Sequence, residues 1–197
     1  MRVFIFLRRF TFPLAVLALT ASAATAQTST WIPDKSHSEV DFSVLHLSLT
    51  NVRGRFNLSD GAIEVNDADI SKSSVKMTID VSSEDSGSSG RDSALKGSSF
   101  FDIEQFPTAT FVSTSVAKTA TGLAVNGNLT VKGITKPVTL NVEGPNGPVK
   151  GMDNKLHAGW SATTTLNRTD FQLGSSYPAA AIGDDVKLEI DMEVVKQ

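Results

Sequence analysis

The sequence contains no cysteine. This excludes disulfide bonds, a thiolate nucleophile and thiolate metal ligands. An excess of positive charge is also missing, because 18 Lys and Arg residues stand against 21 Asp and Glu residues. Binding to nucleic acid requires a concentrated basic surface, so we expect no nucleic-acid partner. Because disulfide bonds are excluded, the fold must be stabilised by the burial of its apolar side chains alone.

Long apolar runs are absent except at the N terminus. Residues 1–26 have three arginines among the first nine positions, continue through an apolar stretch at 10–18 and end at Ala24-Thr25-Ala26. A basic start, a short apolar centre and a small-x-small end are typical of a secretory signal, and the apolar stretch is too short for a membrane span. We predict a signal peptide over residues 1–26 and no membrane span in the mature protein. The pair Arg8-Arg9 leaves open whether export uses the general or the twin-arginine route.

The mature chain, residues 27–197, is predicted to form one domain. It keeps 15 basic residues against 21 acidic ones, which gives a net charge of about −6. A chain of this length is sufficient to build a single hydrophobic core. The sequence leaves the oligomeric state open, including a homodimer.

Apolar residues recur with a period of two along most of the mature chain. The clearest case is residues 186–194, where five apolar residues alternate with four charged ones. This alternation is typical of antiparallel strands with one buried face and one solvated face. It predicts eight or nine strands, which include residues 40–44, 52–58, 63–65, 75–81, 111–116, 123–131, 138–142 and 156–162.

One segment, residues 89–97, is predicted to be helical. Ser88 or Ser89 can cap its start, and Gly97 can end it. The surrounding serine-rich stretch also fits a flexible linker. We favour a short helix because Leu95 and the Phe100-Phe101 pair provide apolar surface to bury.

About eight amphipathic strands can stack as two sheets or close into a barrel. Closure removes the exposed edges, and an eight-stranded barrel is just wide enough to be filled by its own side chains or to hold one slender ligand. Periodicity alone does not distinguish a sandwich, a filled barrel and an open calyx.

Several blocks of the sequence resemble one known family. Residues 31–42 read Trp-Ile-Pro-Asp-Lys-Ser-His-Ser-Glu-Val-Asp-Phe and are followed by His46-Leu47. Together with further blocks in the same order, they resemble the YceI family. The further blocks are residues 52–56, 91–95, 100–102, 106–111, 127–136, 167–171 and 182–186. The resemblance implies a lipocalin-like closed antiparallel barrel, usually periplasmic, with an elongated cavity associated with polyisoprenoid or similar amphiphilic chains.

The inward-facing apolar residues are the candidate lining of such a cavity. Judged from the residues alone, they fit a solid core better, whereas the family resemblance favours a ligand lining. His46 shares their face of its strand and is a candidate polar contact for a ligand headgroup. The predicted ligand-binding residues are Phe42, Val44, His46, Phe56, Ile79, Phe111, Leu129, Trp160 and Phe171.

No catalytic residue, metal site or cofactor is predicted. On a regular strand, His37 and His46 point to opposite faces. His157 falls on the outward face of its strand and is interpreted as an ordinary surface residue. No Gly-x-Ser-x-Gly elbow occurs in the sequence. Asp170 is the expected ion-pair partner of Arg168. Gly127 belongs to the inward series, where it can leave room for a ligand or mark a bend of the barrel.

The sequence therefore predicts a non-catalytic protein that binds or transports a long apolar or amphiphilic molecule such as a polyisoprenoid. The main alternative is a filled barrel that acts through its surface, as a partner-binding or stress-protective protein. An enzyme acting on a lipid in the same interior is a third possibility.

Overall fold

The computed structural model describes residues 28–197, so the predicted signal peptide lies outside the described residues. Within residues 28–197, the segments in which apolar and polar residues alternate form eight strands. No helix within this range combines the length and apolar character that a membrane span requires. The strands are β1 (Thr28–His46), β2 (Thr50–Asn66), β3 (Ser74–Asp85), β4 (Thr108–Lys118), β5 (Leu123–Val131), β6 (Ile134–Lys150), β7 (Leu156–Asn167) and β8 (Ile182–Lys196).

The eight strands form a closed barrel. Each strand pairs antiparallel with the next, and β8 pairs with β1. Val40, for example, lies opposite Phe56 on one side and Ile190 on the other. The predicted closed antiparallel barrel is confirmed, and the sandwich is excluded. The predicted short helix is also confirmed as α1 (Ser89–Lys96).

The two ends of the barrel differ. At the end that we call the helix end, the chain between β3 and β4 forms α1 and a turn-rich segment, and the chain between β7 and β8 folds against it. The ring of Phe100 stacks on the ring of Tyr177, with centroids 5.6 Å apart, and the Gly174 amide donates to the Ser99 carbonyl. These contacts join the two segments into one cover.

At the far end, a packed apolar layer occupies the interior. Trp31 and Trp160 meet edge to face with ring centroids 6.0 Å apart, and Val194 is completely buried. The same layer includes Ile63, Met77 and Ala158. Residues from five strands thus meet across this end.

β1 is interrupted by a bulge. Its pairing with β8 shifts register between Pro33 and Ser38, and its pairing with β2 shifts between Trp31 and Glu39. Residues 34–37 therefore leave the ladder on both sides of the strand. A bulge of this kind changes which side chains point outward.

Gly127 provides space for a neighbouring side chain. A Cβ atom at this position would collide with the ring of Phe111, which lies across the glycine from the adjacent strand β4. The sequence leaves open whether Gly127 makes room for a ligand or marks a bend of the barrel. Neither interpretation describes this contact, because the space beside Gly127 is occupied by an aromatic ring of the core. Gly54 has the same relation to Phe42.

We expect Gly127→Ala to lower the free energy of unfolding by about 1 to 3 kcal/mol, because the added methyl group forces the Phe111 ring from its position. Urea denaturation measures the effect. Gly90→Ala is the matched control, because a Cβ atom there has no neighbour within 4 Å, and a change within about 1 kcal/mol is expected. Equal stabilities of the two variants would contradict this packing argument.

Candidate functional site

The barrel interior contains two adjacent cavities. The larger has a volume of about 360 Å³ and lies beneath the helix end, and the smaller, of about 160 Å³, lies towards the far end. Both are lined mostly by apolar side chains. Four of these line both cavities, which places the two spaces next to each other inside the barrel. The shared residues are Val40, Ile79, Leu129 and Leu188.

All nine residues predicted to bind a ligand line one or both of these cavities. The larger cavity is lined by Phe42, Val44, His46, Phe56, Ile79, Leu129 and Phe171. The smaller cavity is lined by Ile79, Phe111, Leu129 and Trp160. The structure thus places the whole set around two adjacent spaces of the interior, and the contact of these residues with a ligand stays a prediction.

The cover at the helix end adds lining residues that sequence reasoning missed. They come from α1 and from irregular segments, where no strand alternation identifies an inward face. The only signal was the apolar character of Leu95 and the Phe100-Phe101 pair. The added residues include Arg91, Ala94, Leu95, Phe100, Phe101, Leu173 and Tyr177.

Arg91 places a positive charge at the rim of the larger cavity. Its Nε donates to the Ser86 hydroxyl at 2.8 Å, and its Nη2 donates to the Ser86 carbonyl at 2.6 Å. Ser86 in turn donates from its backbone amide to Asp92 at 2.9 Å. His46 lines the same cavity. The helix end therefore supplies polar groups to an otherwise apolar space.

Arg168 organises the segment between β7 and β8. The predicted ion pair with Asp170 is wrong, because the partner is Asp184, whose Oδ1 accepts from Nη2 at 2.8 Å. The guanidinium is 3% exposed and also donates to five backbone carbonyls. These belong to Leu173, Gly174, Tyr177, Ile182 and Gly183. Asp170 is the nearer acid along the chain, but spacing along the chain does not determine the geometry of this loop.

Glu84 is a buried acid next to α1. It is 2% exposed, and neither of its carboxylate oxygens has a hydrogen-bond partner. Burial away from water, and then the neighbouring carboxylate of Asp92, raise the pKa of Glu84 to about 7. The hydroxyl and amide of Ser86 hold the pKa of Asp92 below its usual value. Glu84 is thus the member of this carboxylate pair that retains its proton at mildly acidic pH.

We expect Glu84→Gln to stabilise the protein at pH 8 by about 3 kcal/mol and to have little effect at pH 4.5. The unfolded chain releases the Glu84 proton near its ordinary value of 4.5, while the folded protein holds it up to about 7. The contribution of Glu84 to stability is therefore complete below about pH 4.5 and is lost as the pH rises to about 7.

Urea denaturation of both proteins across this pH range measures the difference. The exposed Glu104→Gln variant is the control and is expected to follow the wild type at every pH. A constant stability difference between Glu84→Gln and wild type from pH 4.5 to 8 would show that Glu84 does not titrate as described.

The fold and its interior define a class of protein: closed eight-stranded antiparallel barrels with apolar cavities and a polar rim. The chain belongs to the YceI-like family, whose domain model matches residues 31–194. The family resemblance drawn from the sequence is therefore confirmed.

Relatives match over nearly their whole length. Protein YceI of Salmonella newport (strain SL254) is 33% identical over 190 residues, which cover 94% of this chain and 96% of that protein. In the crystal structure of Burkholderia cenocepacia BcnA, the sequence is 25% identical to this chain and the fold matches with a TM-score of 0.72. The match covers 82% of this chain and 98% of that one.

A third similarity concerns the fold alone. A polyisoprenoid binding domain from Saccharophagus degradans, implicated in plant cell wall breakdown, is 15% identical with a TM-score of 0.60. The match covers 85% of this chain and 98% of that domain.

Proposed function

We propose that this protein is a non-catalytic, periplasmic binder of a long-chain apolar or amphiphilic lipid, such as a polyisoprenoid, held inside the barrel. The observation that carries the proposal is the apolar cavity of about 360 Å³ beneath the helix end, adjacent to a second one of about 160 Å³. An apolar cavity of roughly 150 Å³ already accepts a small apolar molecule in place of water. The combined interior space suits a longer chain.

Apolar burial supplies the affinity of such a site. Each methylene group removed from water contributes on the order of 0.8 kcal/mol, so about ten of them contribute roughly 8 kcal/mol before the costs of association. Apolar contact discriminates poorly between chains. Selectivity then depends on the polar rim, where His46 and Arg91 are the groups available to a ligand headgroup.

Two further observations support the proposal. The signal-like residues 1–26 support export, and the Saccharophagus degradans domain with the same fold is described as polyisoprenoid binding. The cavities favour this function over a filled barrel that acts through its surface. Apolar walls favour binding over catalysis, because a catalytic site needs a nucleophile and a base in contact.

Mass spectrometry tests the proposal. The protein is produced as the full chain, isolated from the periplasmic fraction and denatured, and the organic extract is analysed together with the mass of the chain itself. We expect a stoichiometric isoprenoid or fatty species and a chain that starts at Gln27. An empty extract, with no uptake of a polyprenol offered in phosphatidylcholine vesicles, would overturn lipid binding. An uncleaved chain in the cytoplasmic fraction would overturn the location.

A further inference from the structure

A second group of chemically reactive side chains lies on the outer surface near the far end, away from α1 and the larger cavity. Two histidines and three carboxylates converge there from four parts of the chain: the β1 bulge, the β6–β7 connection, β7 and β8. They are Asp34, His37, Asp153, His157 and Glu193.

The barrel closure brings these side chains together. β8 lies between β7 and β1, and Glu193 on β8 lies opposite Gly159 on β7, where no side chain projects. His157 is two residues before Gly159 and points outward on the same strand. The His157 ring lies against Gly151 in the β6–β7 connection, and its Nδ1 lies 2.6 Å from Glu193 Oε1.

The β1 bulge supplies the other half of the cluster. Residues 34–37 leave the ladder, and the bulge is tied to β8 by Ser38, whose hydroxyl donates to the Glu193 carbonyl at 3.0 Å and accepts from the Glu193 amide at 3.2 Å. His37 Nδ1 then lies 3.1 Å from Asp34 Oδ2. On a regular strand, neither side chain would turn towards β8 in this way.

The potential ligand atoms lie close enough together for one metal ion to bring them into its coordination shell. One potential ligand atom each from Asp34, His37 and Glu193 lie within 4.8 Å of one another. In a tetrahedral zinc site with bonds of about 2.1 Å, the ligand atoms are about 3.4 Å apart. Metal binding would require side-chain rotations that bring the three atoms closer together, and the His37 side chain has room to move because it is 65% exposed.

The remaining two side chains orient the cluster. His157 contacts Glu193 through Nδ1 and Asp153 through Nε2, the latter at 3.0 Å, and it is only 15% exposed. An imidazole held in this way fixes the position of the Glu193 carboxylate, as outer partners commonly do for metal-ligating groups. Mixed imidazole and carboxylate ligands suit Zn²⁺ among the common divalent ions.

We propose that Asp34, His37 and Glu193 form a Zn²⁺ site on the outer wall of the barrel, with His157 positioning Glu193. The bound ion would join the β1 bulge to β8, where the last strand of the barrel closes on the first. This site is separate from the lipid cavity and does not depend on the proposed function.

Isothermal titration with ZnCl₂ tests the proposal on protein without an affinity tag, treated with EDTA and dialysed. At pH 7.5 we expect one Zn²⁺ per chain with a micromolar or tighter dissociation constant. Glu193→Gln and His37→Ala are each expected to weaken binding at least tenfold. Glu189→Gln is the matched control, because it removes an outward charge from the same strand four residues away, and it is expected to bind like the wild type.

Two companion measurements keep the test decisive. Circular dichroism of the metal-free variants checks the fold, and the exposed His37→Ala change is expected to leave it intact. Zn²⁺ is expected to raise the melting temperature of the wild type and of Glu189→Gln but not that of Glu193→Gln. No stoichiometric binding at 100 µM Zn²⁺, or equal binding by the wild type and both ligand variants, would overturn the proposal and leave the cluster as a set of histidine–carboxylate ion pairs.

Discussion

Arg168→Met is expected to lower the free energy of unfolding by about 3 to 5 kcal/mol. Methionine matches the length of the arginine stem but donates no hydrogen bonds. Five backbone carbonyls, three in the segment between β7 and β8 and two at the start of β8, would lose their shared donor. Because Arg168 is 3% exposed, water cannot simply replace it. The cover of the larger cavity would loosen together with this segment, since Tyr177 and Leu173 line that cavity.

Urea denaturation followed by the fluorescence of Trp31 and Trp160 measures this effect. Arg55→Met is the matched control, because Arg55 is exposed and its contacts with Glu39 and Asp85 are 3.8 and 3.6 Å long. A loss below about 1 kcal/mol is expected there. Arg168→Lys keeps the positive charge but not the planar guanidinium group with its several N–H donors. It is therefore expected to lower the free energy of unfolding by most of the amount predicted for Arg168→Met. If Arg168→Met and Arg55→Met are equally stable, the carbonyl cluster does not have the role described.

Ala109→Trp is expected to reduce the lipid content of the purified protein at least tenfold. Ala109 is buried on β4 and lines the larger cavity, so an indole at this position would fill the space that the proposed ligand requires. Some overpacking is expected, at a cost of about 1 to 3 kcal/mol. The lipid bound per chain is measured by mass spectrometry of the organic extract.

Val112→Trp is the matched control for this variant. Val112 lies three residues further along β4 and is 44% exposed on the outer wall, so the same indole there leaves the interior unchanged. It is expected to carry as much lipid as the wild type. Thermal unfolding verifies that both variants are folded. Equal lipid content in Ala109→Trp and Val112→Trp would place the ligand outside the larger cavity.

The regular part of this fold could be predicted because strand alternation is a local property. In β8, each apolar residue from 186 to 194 faces the opposite way from its charged neighbours, and the structure places them in one strand. The helix end could not be predicted in the same detail. Arg91, Phe100 and Tyr177 come from segments without period-two patterning, and only tertiary contacts bring them over the cavity.

The β1 bulge accompanies a change in which positions of the strand are buried. Trp31 and Pro33, at odd positions, are buried, while Val40 and Phe42 are buried at even positions. A strand that keeps one face inward can change parity only by inserting a residue into its pairing. The switch between Pro33 and Val40 therefore requires the bulge. It also explains why His37 approaches β8.

His157 shows what odd or even position along a strand cannot predict. Its outward orientation suggested an ordinary surface residue, whereas the structure places it between Asp153 and Glu193. Parity identifies the face of a residue but not its neighbours on adjacent strands. Those neighbours depend on the register of β7 against β8, which pairs His157 with Val195 and Gly159 with Glu193.

The packed layer of Trp31, Trp160 and Val194 restricts access to the interior from the far end. The larger cavity lies beneath α1, so a chain that loads and unloads at the helix end would follow the same path in opposite directions. The tail would enter first and leave last, and the headgroup would stay at the entrance throughout. Handover to an acceptor would then begin at the headgroup, and the residence time would depend on how readily the α1 cover moves aside.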